Sequence, residues 1–89
     1  MSITTTTRVS VRYFAAARSA AGIESEQLEL AGGGSVADLL ETMRDQHGAE
    51  FARVLERCSF LLDEIAVRDR TIPLPDGATL DVLPPFAGG

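Results

Sequence analysis

The most regular alternation of polar and apolar positions in the chain runs from Arg8 to Phe14. Val9, Val11 and Tyr13 alternate with Arg8, Ser10 and Arg12, which predicts a half-buried strand with its β-branched and aromatic residues inward. Phe14 falls on the outer parity of that strand. Ala15 to Ala21 is nearly all alanine around Arg18 and Ser19, enough for one or two helical turns, and Gly22 is a natural stop. Strand character returns from Ile23 to Leu30, with Leu28 and Leu30 on one face. Beyond the break at Gly32-Gly33-Gly34, Ser35 stands as an N-cap with Asp38 three residues later. Val36, Leu39, Leu40 and Met43 then recur at i, i+3, i+4 and i+7, the stripe of an amphipathic helix that Gly48 ends. Phe51, Val54, Leu55 and Cys58 repeat the spacing. Phe60 to Leu62 and Ile65 to Val67 read as short strands around an Asp63-Glu64 turn. The turn Asp76-Gly77 leads into a last strand, Thr79 to Leu83, with Leu80 and Val82 inward and Leu83 outward.

The order is therefore strand, strand, long helix, short helix, strands, final strand. A helix crossing between two strands of one sheet sets the first and last strands side by side and parallel. One mixed sheet under one helix would bury Val36, Leu39, Leu40 and Met43 against Val9, Val11, Leu80 and Val82. That is an α+β architecture of the ubiquitin-like β-grasp kind. Residues 8–83 are read as this domain, 1–7 as a flexible N-terminus and 84–89 as a tail, with no internal repeat and no second domain.

Charge and composition narrow the chemistry. The 89 residues carry a net charge of −5, which argues against a nucleic-acid partner and for a basic protein surface as the complement. All eight basic residues are arginine, so no side chain here accepts an isopeptide bond. The glycine triplet lacks the Gly-Lys-Ser/Thr of a phosphate loop and reads as a plain flexible loop. A single cysteine and a single histidine exclude an internal disulfide, a cysteine-based zinc site and a metal or catalytic constellation of the usual ligands. Cys58, on an apolar stripe, reads as a small buried hydrophobe; His47 reads as a cation offsetting the carbonyl end of its helix. The Thr-rich start has no apolar signal-peptide core, and no apolar run reaches the roughly 18 residues of a membrane span. These features predict a cytoplasmic protein with neither membrane nor nucleic acid as partner.

The candidate functional element is Pro84-Pro85-Phe86-Ala87-Gly88-Gly89, directly after the last strand. Two prolines favour an extended path, and about 3.3 Å per residue gives a reach of roughly 20 Å. Glycine has no Cβ, so a Gly-Gly end can enter a narrow channel and bring a terminal carboxylate close to a catalytic group. From the residues alone, a frayed terminus is an equal alternative. Phe14 and Leu83, outward on strands expected to be adjacent, would form with Phe86 an apolar patch at the tail's root, suited to docking a partner.

Both ends of the chain carry a resemblance. Phe14-Ala15-Ala16-Ala17-Arg18-Ser19-Ala20-Ala21-Gly22 resembles the Phe-Ala-x-x-Arg-x-x-x-Gly opening of the small subunits of molybdopterin synthase, within the ubiquitin-like sulfur carriers. The Asp76-Gly77 turn, the final strand and Pro84-Pro85-Phe86-Ala87-Gly88-Gly89 resemble that family's Asp-Gly turn, strand and Pro-Pro-x-Ala-Gly-Gly end. The match is specific at the ends and loose from Gly48 to Ser59, and Ser19 stands where the family has glutamate. The resemblance implies a sulfur carrier in molybdenum cofactor synthesis, not an enzyme on its own. The Gly89 carboxylate would be adenylated with ATP by an E1-like adenylating enzyme and converted to a thiocarboxylate by a sulfur donor such as a rhodanese or cysteine desulfurase. Sulfur would then pass to cyclic pyranopterin monophosphate in the large synthase subunit. Gly89 is thus the expected reactive residue, and Phe14, Leu83, Pro84, Pro85, Phe86, Ala87 and Gly88 the expected partner-binding residues, with no cofactor bound by the chain itself. A sulfur carrier for thiamine or cysteine synthesis, a ubiquitin-like modifier attached to lysines, and a simple binding module are the alternatives.

Overall fold

The structure is a computed structural model that describes residues 5–85. Strand β1 (Thr6–Tyr13) is followed by α1 (Ala15–Ala21), β2 (Ser25–Ala31), α2 (Val36–His47), α3 (Ala49–Leu55), β3 (Ser59–Leu62), β4 (Ile65–Ala66) and β5 (Thr79–Leu83). The five strands form one sheet in the order β2-β1-β5-β3-β4. Pairing is antiparallel except between β1 and β5, which run parallel with Val11 opposite Leu80 and Tyr13 opposite Val82. The expected α+β mixed sheet with a helix across it is what the chain forms, with α3 packed against both α1 and α2 over the same core.

Each element has a local cause. In β1 the inward positions Thr7, Val9, Val11 and Tyr13 are buried, while Arg8 and Arg12 are exposed. The strand starts at Thr6, two residues before the alternation that begins at Arg8, because pairing with β2 extends to Thr6 opposite Ala31. Ser35 caps α2 through a reciprocal box: Asp38 N–H donates to Ser35 Oγ at 3.2 Å, and Ser35 N–H donates to Asp38 Oδ2 at 2.9 Å. Two further donors of that first turn are met from elsewhere, Val36 N–H by Ile72 O at 3.2 Å and Ala37 N–H by Arg70 O at 2.8 Å. The glycine triplet is a close-approach turn: a Cβ on Gly32 would meet Thr5 Cγ2 at 2.6 Å. Val36, Leu39, Leu40 and Met43 are all buried and share one core with Val9, Val11, Leu80 and Val82.

Two positions differ from the pattern reading. Helix α3 ends at Leu55, so Cys58 lies in the turn that follows rather than on the helix, yet it is buried all the same. His47 sits in the last turn of α2, as expected, but its side chain reaches across to β2. There Glu26 Oε2 lies 2.5 Å from His47 Nε2 and accepts a 2.5 Å bond from the Tyr13 hydroxyl, while Gln46 Nε2 donates to Oε1 at 2.8 Å. The rings of Tyr13, His47 and Phe51 pack edge-on or tilted around this carboxylate. It is a nearly enclosed polar node, with His47 and Glu26 side chains only 10% and 12% exposed.

This node makes a pH prediction. Burial, then the bond to Glu26, then the charge of Glu26 push the Tyr13 phenol far above its ordinary value. Near neutral pH the phenol is un-ionised in the folded and unfolded chain alike, so it adds no pH dependence. Above about pH 10 the unfolded chain releases that proton and the folded chain keeps it, so stability falls. Tyr13 is the only tyrosine and there is no lysine to titrate alongside it. Denaturant unfolding of Tyr13→Phe should therefore be weaker by about 1 kcal/mol near neutrality and show a flatter alkaline limb than the parent. Parallel limbs for the two proteins would disprove the assignment.

Candidate functional site: the root of the C-terminal tail

The expected site residues Phe86, Ala87, Gly88 and Gly89 lie outside the described residues, as do Met1 to Thr4 of the expected flexible start. The structure therefore defines the base from which the tail departs. That base is the end of β5, the strand held between β1 and β3 in the middle of the sheet. Leu83 pairs with Ser59 of β3 and is half-buried, Pro84 is half-buried, and Pro85 is exposed.

Phe14 lies at the same end, immediately beyond β1. Its N–H donates to Val82 O at 3.3 Å, extending the parallel pairing by one step, and its own carbonyl accepts from Ala17 N–H at 3.0 Å. Phe14 is thus both the last rung of the sheet and the N-cap of α1. The chain turns between the two roles at Ala15, whose φ of 50° is left-handed and costs about 1–2 kcal/mol for a residue with a Cβ. The result is a side chain held from both sides by its backbone and 39% exposed. The Arg12 guanidinium stands 5.9 Å from the ring centroid, and the same guanidinium forms a two-pronged pair with Asp81, at 2.6 and 2.8 Å.

Phe14 and Leu83 are accordingly brought to one end of neighbouring strands. Phe14 and the prolines nevertheless line different hollows. Phe14 borders one of about 240 Å³ with Arg12, Arg18 and Glu24. Pro84 and Pro85 border another of about 400 Å³ on the helix side, with Ala16 and Val54. Ala16 and Val54 were absent from the sequence-derived site, although Val54 sits at the half-buried edge of its helix stripe.

Among the described residues no group of His, Cys, Asp or Glu is arranged to hold a metal ion, and no described helix is long and apolar enough to cross a membrane. Cys58 is 6% exposed, its Sγ donates to Val54 O at 3.3 Å, and burial pushes its thiol up. A thiol so placed is a poor nucleophile. The described part of the site is the root of the tail, set on the central strand of the sheet.

A five-stranded mixed sheet with parallel central strands and a helix laid across it defines a ubiquitin-like β-grasp protein. The chain belongs to the ThiS family, which matches residues 11–89. It is similar to the molybdopterin synthase sulfur carrier subunit of Chlamydomonas reinhardtii, 34% identical over 83 residues that cover 92% of this chain and 99% of that protein. Among solved structures, subunit 1 of a molybdopterin converting factor from Pyrococcus furiosus superposes with a TM-score of 0.81 at 28% identity, covering 90% of this chain and 99% of the other. The small archaeal modifier protein 1 of Methanosarcina acetivorans superposes at 0.75 with 26% identity, covering 96% and 99%.

Cys58→Ala should remove about 1 kcal/mol of stability by leaving a small cavity and leave any sulfur loading of the chain unchanged. A folded Cys58→Ala protein that no longer loads sulfur would make the thiol chemical rather than structural.

Proposed function

We propose that this chain is the sulfur-carrying small subunit of a molybdopterin synthase, working in the cytoplasm. The observation that carries the reading is a Pro-Pro-x-Ala-Gly-Gly tail set directly on the central strand β5, in a chain similar over nearly its whole length to a sulfur carrier subunit. A carboxylate is a poor acyl donor to sulfur. Adenylation of Gly89 by an E1-like enzyme, with ATP supplying AMP and pyrophosphate leaving, gives it a good leaving group. A persulfide on a donor such as a rhodanese or cysteine desulfurase displaces AMP, and a thiol reductant frees the thiocarboxylate from the acyl disulfide. In the large synthase subunit the thiocarboxylate sulfur attacks a side-chain carbon of cyclic pyranopterin monophosphate as an oxygen substituent leaves. Water then hydrolyses the resulting thioester, leaving the sulfur on the pterin and returning the Gly89 carboxylate. The partner supplies the acids and bases; this chain supplies a tethered reactant whose positioning replaces a bimolecular encounter. Residues 84–89 act as the tail and the folded body as its handle, with Phe14 and Leu83 resting against the partner.

Attachment to lysines of other proteins is the second reading, favoured by the likeness to a small archaeal modifier protein. Intact mass of the protein from its own cells separates the two. One oxygen replaced by sulfur at Gly89 supports the carrier, whereas lysine-linked adducts of high mass support the modifier.

The reading requires Gly89 to end the chain. One residue added after it should abolish adenylation while the melting curve stays unchanged. An extended, uncleaved protein that still donates sulfur would sink the proposal.

Docking through Phe14 has its own test. Because its structural bonds are made by its backbone, Phe14→Ala should cost about 1–2 kcal/mol in binding the large subunit with little loss of folding stability. Calorimetric binding beside thermal melting of the same protein decides. Unchanged affinity with a sharply lowered melting point would return Phe14 to the core.

A further inference from the structure

The hollow on the helix side of the tail root carries charge as well as shape. Its floor is apolar, made by Ala16, Val54, Pro84 and Pro85. Arg53, in the last turn of α3, and Arg57, in the turn that follows, line the same hollow. Both are exposed, and neither forms an ion pair among the described residues. Glu50 is the one carboxylate residue bordering the hollow, so this spot is locally positive in a chain whose net charge is −5. Pro84 and Pro85, the first residues after β5, belong to this lining, so the groove adjoins the root of the tail.

We propose that the groove docks an apolar segment bearing a carboxylate, at the mouth of the channel in the large synthase subunit that receives the tail. Arg53 and Arg57 pair with that carboxylate while its apolar neighbour covers Val54 and the prolines. The inference rests on the sulfur-carrier reading and adds to it a second surface, distinct from the hollow that Phe14 borders. A local reversal of sign beside the tail makes one orientation of insertion favourable and its alternatives repulsive, which is how charge across an interface fixes register.

The test uses the full chain and the purified large subunit from the same cells, with binding measured by calorimetry at several salt concentrations beside the melting temperature. Arg53→Gln/Arg57→Gln should bind about tenfold more weakly than the parent at low salt, and Arg53→Glu/Arg57→Glu more weakly still. Both deficits should shrink near 1 M salt, where screening acts within about 3 Å. Melting should be retained, since both side chains are exposed. Glu50→Gln, which removes the competing charge, should tighten binding, and it decides the matter should the arginine variants fold poorly. Equal affinity for parent and variants overturns the groove and leaves the sulfur-carrier reading standing. Tighter binding by the arginine variants also overturns it, because the groove would then be holding this chain's own tail. A parent that does not bind the large subunit overturns both.

Discussion

The parallel pairing of β1 with β5 is the constraint on which the rest of this protein depends. It joins the two strands most distant in sequence, and it sets the end of the last strand beside Phe14. The pairing is driven from beneath. Val9, Val11, Leu80 and Val82 are fully buried under α2, and each such side chain is worth about 1.5–3 kcal/mol. The pair of Arg12 with Asp81 on the opposite face is smaller in magnitude because Arg12 is half in water. Its contribution is to register: Arg12 stands directly opposite Asp81, and a slip of one residue would leave the Asp81 carboxylate buried without a partner.

The Glu26 node performs the corresponding task between layers. A carboxylate enclosed by apolar rings would be strongly unfavourable without donors, and here it has three, from β1 through Tyr13 and from α2 through Gln46 and His47. Each donor comes from a different position along the chain, so the node is satisfied only when α2 lies at one angle across the sheet. Apolar burial brings the helix down; the node selects where it rests.

How much of this was legible in the sequence follows from which periodicity each residue obeys. The long helix, its cap and the parallel central strands follow from the stripe at Val36, Leu39, Leu40 and Met43 and from the alternation in β1. The node is equally present in the pattern. Glu26 shares the parity of Leu28 and Leu30 on β2, and His47 continues the α2 stripe four residues after Met43. A charged or polar residue on an inward position is a signal for a buried network, which reading His47 only as a helix-end cation does not reveal. The Asp63-Glu64 turn carried a weaker signal, because both residues adopt positive φ, 48° and 70°, without the Asn or Gly that usually marks such a turn. The left-handed Ala15 could not be read at all, since nothing in an alanine run identifies which residue must turn the corner. Of the site itself, the tail and Phe14 were visible as residues, whereas the helix-side groove arises only when α1, α3 and the start of the tail come together.

That last distinction bears on how a carrier of this kind gains accuracy. Ordering a segment on binding costs conformational entropy, and the cost is smaller when the residues that precede it are already fixed. Here the aim is set before Phe86. Leu83 is held in the sheet by β3, Phe14 is fixed beside it by the continuing parallel pairing, and Pro84 and Pro85, whose rings restrict φ, border a hollow shared with Ala16 of α1 and Val54 of α3. The strain at Ala15 fits this arrangement, since the left-handed turn there lets one residue end the strand and begin the helix with no loop between them. A loop would release Phe14 from Val82, and the direction of the tail would no longer be referred to the sheet.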